Sequence, residues 1–507
     1  VTPGRGSSAR ARLARVGFAE PTRAAAAFEL PHLAALLQDE QLLAGLAQVA
    51  DPDAALDALH RLLEAVGDPA ALSSAVVQDE RLRGRLLAVL GASTALADHL
   101  VRHPDGWRVL AESPAGSPSP LELRRRLVTA VGADAAAAAP VASSAGDVAL
   151  DALRVAYRDS LLALAARDLA DGADVAAVAA ELSDLAAAAL EAALAIARAE
   201  VGVLAAACRL AVVAMGKCGG RELNYVSDVD VVLVAEPAVR DDGTREDEQV
   251  ALRAASALTV AMMRACAATT AEGSLWPVDA ALRPEGRAGP LVRTLASHVA
   301  YYERWAKTWE FQALLKARPV AGDLALGEDY LAAVRPLVWQ AADRPDFVAD
   351  VQEMRRRVER SLAPTSSHRE IKLGPGGLRD VEFAVQLLQL VHGRTDPALR
   401  SPNTLEALEA LSTHGYVGRA DAGELDRAYR FLRTVEHRLQ LHRLRRTSVM
   451  PEDEAALRRL GRSLGLRADP VEALGAEWRR HAREVRRLHE KLFYRPLLAS
   501  VARLASD

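Results

Sequence analysis

Aromatic side chains are scarce in this 507-residue sequence, where Phe, Trp and Tyr together make up 4%. Strand-rich cores draw on aromatic and β-branched residues, so the scarcity argues against a large sheet. The dominant Ala and Leu favour helix. Only three cysteines occur, Cys208, Cys218 and Cys266, an odd number with no Cys-x-x-Cys pair. That pattern excludes a disulfide framework and a structural zinc site, and reads as cytosolic thiols. An excess of positive charge is also missing: the formal net charge is −4. No global basic field is available to hold a nucleic-acid backbone, so no nucleic-acid partner is expected. The start, Val1-Thr2-Pro3-Gly4-Arg5, has no apolar signal core, and no later run of about 18 uncharged apolar residues is evident. The expectation is a cytoplasmic chain that spans no membrane and begins at a natural terminus.

The length exceeds the roughly 250 to 300 residues at which a single core stops growing, so two or three domains are expected. Leu30 to Val49 and Asp53 to Val66 repeat apolar residues at three- and four-residue spacing, the pattern of amphipathic helices. Ser113 to Pro120 is a cluster of Ser, Pro and Gly, and Ala135 to Gly146 is an Ala/Ser-rich stretch with little periodicity; both read as loops. Helical spacing returns from Leu150 to Ala199. Two short apolar runs follow, Leu210 to Met215 and Val229 to Val234, each too short for a helix and read as a buried strand. After Pro345 the spacing is helical again, as in Glu424 to Gln440 and Ala476 to Leu492. These readings predict a mainly α protein with a small α+β domain over 148–335, flanked by helical regions over 1–147 and 336–507.

The segment with most chemical content runs from Met215 to Val232. Gly216, Gly219 and Gly220 predict a tight turn, where a missing Cβ lets phosphate oxygens approach backbone N–H groups. Asp228 and Asp230, two residues apart at the start of a strand, point to one face. Such a pair can clamp one or two magnesium ions, which prefer carboxylate, water and phosphate oxygens. A third carboxylate is expected on a neighbouring strand, and Asp279 in Trp276-Pro277-Val278-Asp279 supplies it. Arg283 and Arg287 follow closely and can neutralise charge on phosphate oxygens. A lone Asp-x-Asp is commonly a solvated turn; the ordered combination of glycine turn, Ser227, carboxylate pair, apolar strand and Asp279 carries the reading. Lys372, Arg379, Asp380 and Glu382 surround Gly374-Pro375-Gly376-Gly377 as a second polar cluster. It reads equally as a plain turn or as a surface facing the nucleotide cleft or a protein substrate. Arg355 to Arg357 and Arg443 to Arg446 read as wet helix faces. His437, His442, His481 and His489 form no metal-ligand constellation, so no zinc is expected.

This arrangement resembles the DNA polymerase β-like nucleotidyltransferase superfamily, except that Lys217 stands where that pattern usually has serine. The string Gly-Lys-x-Gly-Gly-Arg-Glu-Leu-Asn-Tyr-x-Ser-Asp-x-Asp is similar to the bifunctional glutamine synthetase adenylyltransferase/adenylyl-removing family, which carries the Lys. Arg102-His103-Pro104, Leu282-Arg283-Pro284, Trp309 to Arg318 and Ile371 to Phe383 recur with it, so the resemblance spans about residues 90 to 460. The small domain would then be a polymerase β-like palm. The family enzyme has two such halves, and Gly374 to Phe383 resembles the amino-terminal, adenylyl-removing copy.

The resemblance implies two Mg2+ ions on Asp228, Asp230 and Asp279 as the catalytic and metal-binding trio. It implies nucleotide or phosphate contacts from Gly216, Lys217, Gly219, Gly220, Ser227, Arg283 and Lys316. The implied reaction is phosphorolysis: phosphate attacks the adenylyl-tyrosine of glutamine synthetase and ADP leaves. The implied partners are adenylylated glutamine synthetase, the PII signalling protein, phosphate, ADP or ATP, and the second, adenylyltransferase half of the same polypeptide. Two rivals stand beside this reading, an ATP-dependent adenylyltransferase half and a catalytically silent module that senses nucleotide or PII. Three converging carboxylates argue against the silent module.

Overall fold

The computed structural model describes residues 5–34, 36, 39–114, 116–344, 346–360 and 369–494. The polar start Val1 to Gly4, Ala115 of the Ser113–Pro120 cluster and the last 13 residues, 495–507, lie outside the described residues. The protein is mainly helical with one small mixed sheet. The chain divides into two compact units, each assembled from three segments.

The first unit comprises Val1–Ser117, Arg158–Val178 and Arg433–Arg480. Its short helices are set off by aspartate and serine caps. Asp51 accepts from Ala54 N at 3.0 Å and Asp68 from Ala71 N at 3.0 Å, each just before a proline at the first helical turn. Proline there gives up no intrahelical bond, so Asp-Pro starts a helix cleanly. Leu56, Leu59, Leu62 and Leu63 fill one face of Pro52–Ala65, which packs on Glu80–Ala92. Arg85 is fully buried in this unit, yet it is satisfied: it reaches Asp171 and the carbonyls of Leu110 and Ser113 at 2.9 and 2.8 Å.

The second unit comprises Pro118–Tyr157, Ala179–Leu432 and His481–Asp507 and contains the sheet. β1 (Cys208–Ala214) and β2 (Val229–Pro237) are antiparallel, and their apolar runs match the two strands expected. β3 (Val278–Asp279) lies parallel to β2, and β4 (Arg318–Gly322) is antiparallel to β1, giving the order β3-β2-β1-β4. Both faces of the central pair are covered, which explains why their sequences are unbroken apolar runs rather than alternating ones. Ala211, Val213, Val232 and Val234 join Tyr302, Phe311 and Tyr330 in one core. The helix Glu248–Ala267 also packs on β1 and β2. It is long and apolar enough to pass a membrane-span test of length and composition, and half of it is buried inside the protein. Its packing on the sheet accounts for that apolarity.

Ala135 to Gly146 is a loop tied down at Ala142, whose N–H donates to Ala195 O at 3.0 Å. Leu150 to Ala199 forms two helices, Asp147–Ala170 and Val175–Val201, separated by a short break. β4 was not anticipated from sequence. It contains Pro319, it buries only Ala321, and it occupies a sheet edge, where proline is tolerated because an edge strand has an unpaired side.

Candidate active site

The site is assembled at the end of the sheet where β2 begins. Asp230 is the second residue of β2 and Asp228 stands just before the strand. The parallel register pairs Asp230 with Asp279. Neighbouring strands are about 4.8 Å apart, so the two carboxylates start from adjacent positions, with Asp228 one pleat away on the face of Asp230. Asp279 Oδ1 accepts from Ala281 N at 2.8 Å, which orients it.

The glycine turn is fastened to the same strand: Met215 N donates to Asp230 O at 2.8 Å. Gly216 follows with φ +53°, and a Cβ there would stand 2.5 Å from Asp230 Oδ2. Backbone conformation and space thus both select glycine. Ser227 is half-buried beside Asp228. Lys217 Nζ donates to Asn224 Oδ1 at 3.1 Å, and Asn224 in turn donates to Val226 O at 2.7 Å. The lysine is therefore held across the loop that delivers Ser227 and Asp228.

Several residues expected to meet phosphate are engaged by the protein itself. At Gly219 the missing side chain admits the carbonyls of Lys316 and Ala214, and at Gly220 the carbonyl of Pro402. Lys316 is buried, ion-paired with Glu222, and donates to Thr404 Oγ1 at 3.1 Å. Arg283 donates to the carbonyls of Ala280, Gly289 and Pro290 at 2.8 to 3.2 Å, fixing the loop after β3 while adding positive charge near Asp279.

Lys372 and Arg379 come within electrostatic reach of Asp230. Burial pushes the Asp230 carboxyl up to about 6 and the charges of Asp279 and Asp228 add to the rise, whereas Arg379 and Lys372 oppose it. Glu382 lies behind them, fully enclosed. Burial alone would raise its carboxyl, but Arg379, Lys217, Lys316 and Lys372 draw it down to about 2. Arg379 Nη1 donates to Glu382 Oε2 at 2.9 Å, and Tyr429 OH donates to Oε1 at 3.3 Å. Glu382 is thus an ionised anchor for cations facing Asp230. Asp380 points elsewhere. It receives Arg355 Nε and Nη2 at 2.9 and 2.6 Å and Gly376 N at 2.7 Å, and its role is to hold the Gly374–Gly377 turn.

An all-oxygen set of three carboxylates, one of them raised by burial and then by its neighbours' negative charge, suits a hard divalent cation such as Mg2+. Sequence reading assigned no role to Glu222, Asn224, Asp184 or Arg318. Asp184 receives Arg221 Nη2 at 2.5 Å, and Arg318 Nη2 donates to Cys218 O at 3.0 Å, so both pin the glycine turn. Glu222, Asn224 and Arg318 lie inside the recurring strings, which was the available signal; Asp184 sits in a helix with none.

Residues 83–333 match the model of the family described as "Glutamate-ammonia ligase adenylyltransferase". Residues 346–493 match a second model, "GlnD PII-uridylyltransferase". A "Bifunctional glutamine synthetase adenylyltransferase/adenylyl-removing enzyme" of Streptomyces coelicolor is 61% identical over 508 residues, covering 100% of this chain and 49% of that protein. The chain belongs to this family of bifunctional glutamine synthetase adenylyltransferase/adenylyl-removing enzymes. Members from Nocardia farcinica and Mycobacterium tuberculosis (strain ATCC 25618 / H37Rv) are each 50% identical, covering 100% and 91% of this chain and 50% and 45% of their own lengths. The chain thus spans about half the length of the family members it matches. Asp228, Asp230 and Asp279 fall in the adenylyltransferase-model segment, whereas Lys372, Arg379 and Glu382 fall in the second.

Proposed function

We propose that this chain is the adenylyl-removing half of its family's enzyme, releasing AMP from a tyrosine of glutamine synthetase as ADP by attack of inorganic phosphate. The observation that carries the reading is the convergence of Asp228, Asp230 and Asp279 with Lys372 and Arg379 beside the Gly216 turn. The half is assigned on the Gly374 to Phe383 string, which resembles the amino-terminal copy.

The chemistry requires one P–O bond to form and one to break. A phosphate oxygen attacks the α-phosphorus, the bond to the tyrosyl oxygen breaks, and the phenolate takes up a proton to restore tyrosine. Tyrosine ionises near pH 10, so its phenolate is a better leaving group than an alkoxide. Phosphate is anionic at neutral pH, and the demand on the protein is orientation and charge neutralisation rather than a strong base. Lys372 and Arg379, backed by Glu382, supply fixed positive charge at the carboxylates, and Lys217 is positioned by Asn224 at the turn. Asp228, Asp230 and Asp279 would hold Mg2+, two ions in this reading, which when bound supplies electrostatic stabilisation of phosphoryl oxygens.

This activity places the protein in the cytoplasm, with adenylylated glutamine synthetase as substrate, PII as a regulatory partner, and the adenylyltransferase half on the same polypeptide. The test runs both directions with the purified chain. Adenylylated glutamine synthetase plus phosphate should yield ADP, while unmodified glutamine synthetase plus ATP should yield neither labelled protein nor pyrophosphate. The reverse outcome would assign the adenylyltransferase half, and inactivity in both directions would favour a nucleotide- or PII-sensing module.

A further inference from the structure

The helical unit containing Arg433–Arg480 encloses a cavity of about 190 Å³. Leu439, Val449, Ala456 and Leu460 contribute apolar wall. Two guanidinium groups line it, and they differ in how they are satisfied. Arg438 is spent on Asp168, whose carboxylate oxygens accept from it at 2.5 and 2.9 Å. Arg459 is half-buried and makes no hydrogen bond or ion pair with the described residues. The Asp51 carboxylate acts on it only through space, and one oxygen of Asp51 caps the Pro52–Ala65 helix by accepting from Ala54 N at 3.0 Å.

A half-buried guanidinium without a partner is costly, since burial weakens its hydration and nothing among the described residues replaces it. Here the cost falls at a cavity wall. The loop that lines the cavity through His442, Thr447 and Val449 also carries Arg443 and Arg445, both exposed. These belong to the basic run that the nucleotidyl-transfer site leaves unused. Exposed positive charge next to a cavity raises the local concentration of anions.

We propose that this cavity binds a small aliphatic carboxylate, with the carboxylate on Arg459 and the hydrocarbon body against Leu439, Val449 and Leu460. The planar guanidinium matches a carboxylate in a two-pronged geometry. Inorganic phosphate is the poorer fit, because a dianion would set charged oxygens against the apolar wall of Leu439, Val449 and Leu460. Size sets the class further. An apolar cavity of about 150 Å³ holds benzene, six heavy atoms, so this cavity suits about seven or eight. The site is independent of the nucleotidyl-transfer reading and does not draw on its residues.

Isothermal titration calorimetry on the full chain tests it with 3-methylbutanoate, its neutral isostere 3-methylbutanamide, and inorganic phosphate. The expected result is saturable one-to-one binding of 3-methylbutanoate, at least tenfold weaker binding of the amide, and at least tenfold loss in Arg459→Gln. Ala456→Phe, which fills the cavity and leaves the arginine in place, should abolish binding while keeping a cooperative thermal transition, so the result remains readable if Arg459→Gln misfolds. No saturable binding of 3-methylbutanoate, equal binding of the amide, unchanged binding in the variants, or tighter binding of phosphate than of the carboxylate would each overturn the proposal.

Discussion

A Cβ on Gly216 would stand 2.5 Å from Oδ2 of Asp230, so the turn and the central carboxylate occupy one fitted space. Gly216→Ala must displace either the Asp230 side chain or the turn, and φ +53° adds strain for any L side chain. The expected loss is about 10² in kcat with the thermal midpoint lowered by only a few degrees. Steady-state kinetics alongside a melting curve checks this; unchanged kcat would show that the carboxylate tolerates displacement.

Asp230 gives a pH signature. Its folded-state pKa of about 6 lies above its ordinary 3.8, so the native state holds the proton over that interval while the unfolded chain has released it. Stability of the metal-free chain should therefore fall as pH rises from about 4 to about 6. Allowing for partial exposure, the loss is about 1 to 2 kcal/mol. Asp230→Asn should remove this component, melting higher than the parent at pH 7 without Mg2+, and Mg2+ should stabilise the parent but not the variant. Parallel pH–melting curves that superimpose would refute the assignment.

Glu222 binds the ammonium of Lys316 and the backbone N–H of Thr404, joining the glycine turn, the segment before β4 and the Thr404–Thr413 helix. Glu222 and both of its partners are buried. Glu222→Gln keeps the shape but strands the Lys316 charge, at a cost of about 3 kcal/mol. Urea denaturation should show that loss, and the Glu222→Gln/Lys316→Met double variant should recover part of it.

Arg379 is fixed by Glu382 while its charge acts on Asp230. Arg379→Gln should lower kcat by about 10² to 10³, as for removal of a preorganised charge-stabilising donor. Arg355→Gln, which loosens Asp380 and the Gly374–Gly377 turn behind it, should act in the same direction but also lower stability. If Arg379→Gln is fully active, the second cluster lies outside the reaction.

Strands β1 and β2 were legible because burial on both faces leaves an uninterrupted apolar run such as Val229 to Val234. β4 was not, since a five-residue edge strand with one buried side chain and a proline carries no period. At the site, Asp228 and Asp230 could be read from their two-residue spacing and Asp279 from the strand context. Lys316 could not be placed, because sequence does not tell a lysine that meets a ligand from one that meets Glu222. The approach of Lys372 and Arg379 to Asp230 is likewise a tertiary fact: those residues follow the sheet by a long helical stretch, and no local spacing encodes where the chain returns. Arg283 shows the converse, a residue expected to face phosphate whose donors close its own loop.

The most direct test of the central claim is to supply uniformly 18O-labelled phosphate to the chain with adenylylated glutamine synthetase and Mg2+, and to analyse the released nucleotide by mass spectrometry. Attack by phosphate on the α-phosphorus predicts ADP carrying the label in its β-phosphoryl group, absent with Asp228→Asn. Release of AMP, which would make water the nucleophile, or no nucleotide release from a well-folded chain, would contradict it.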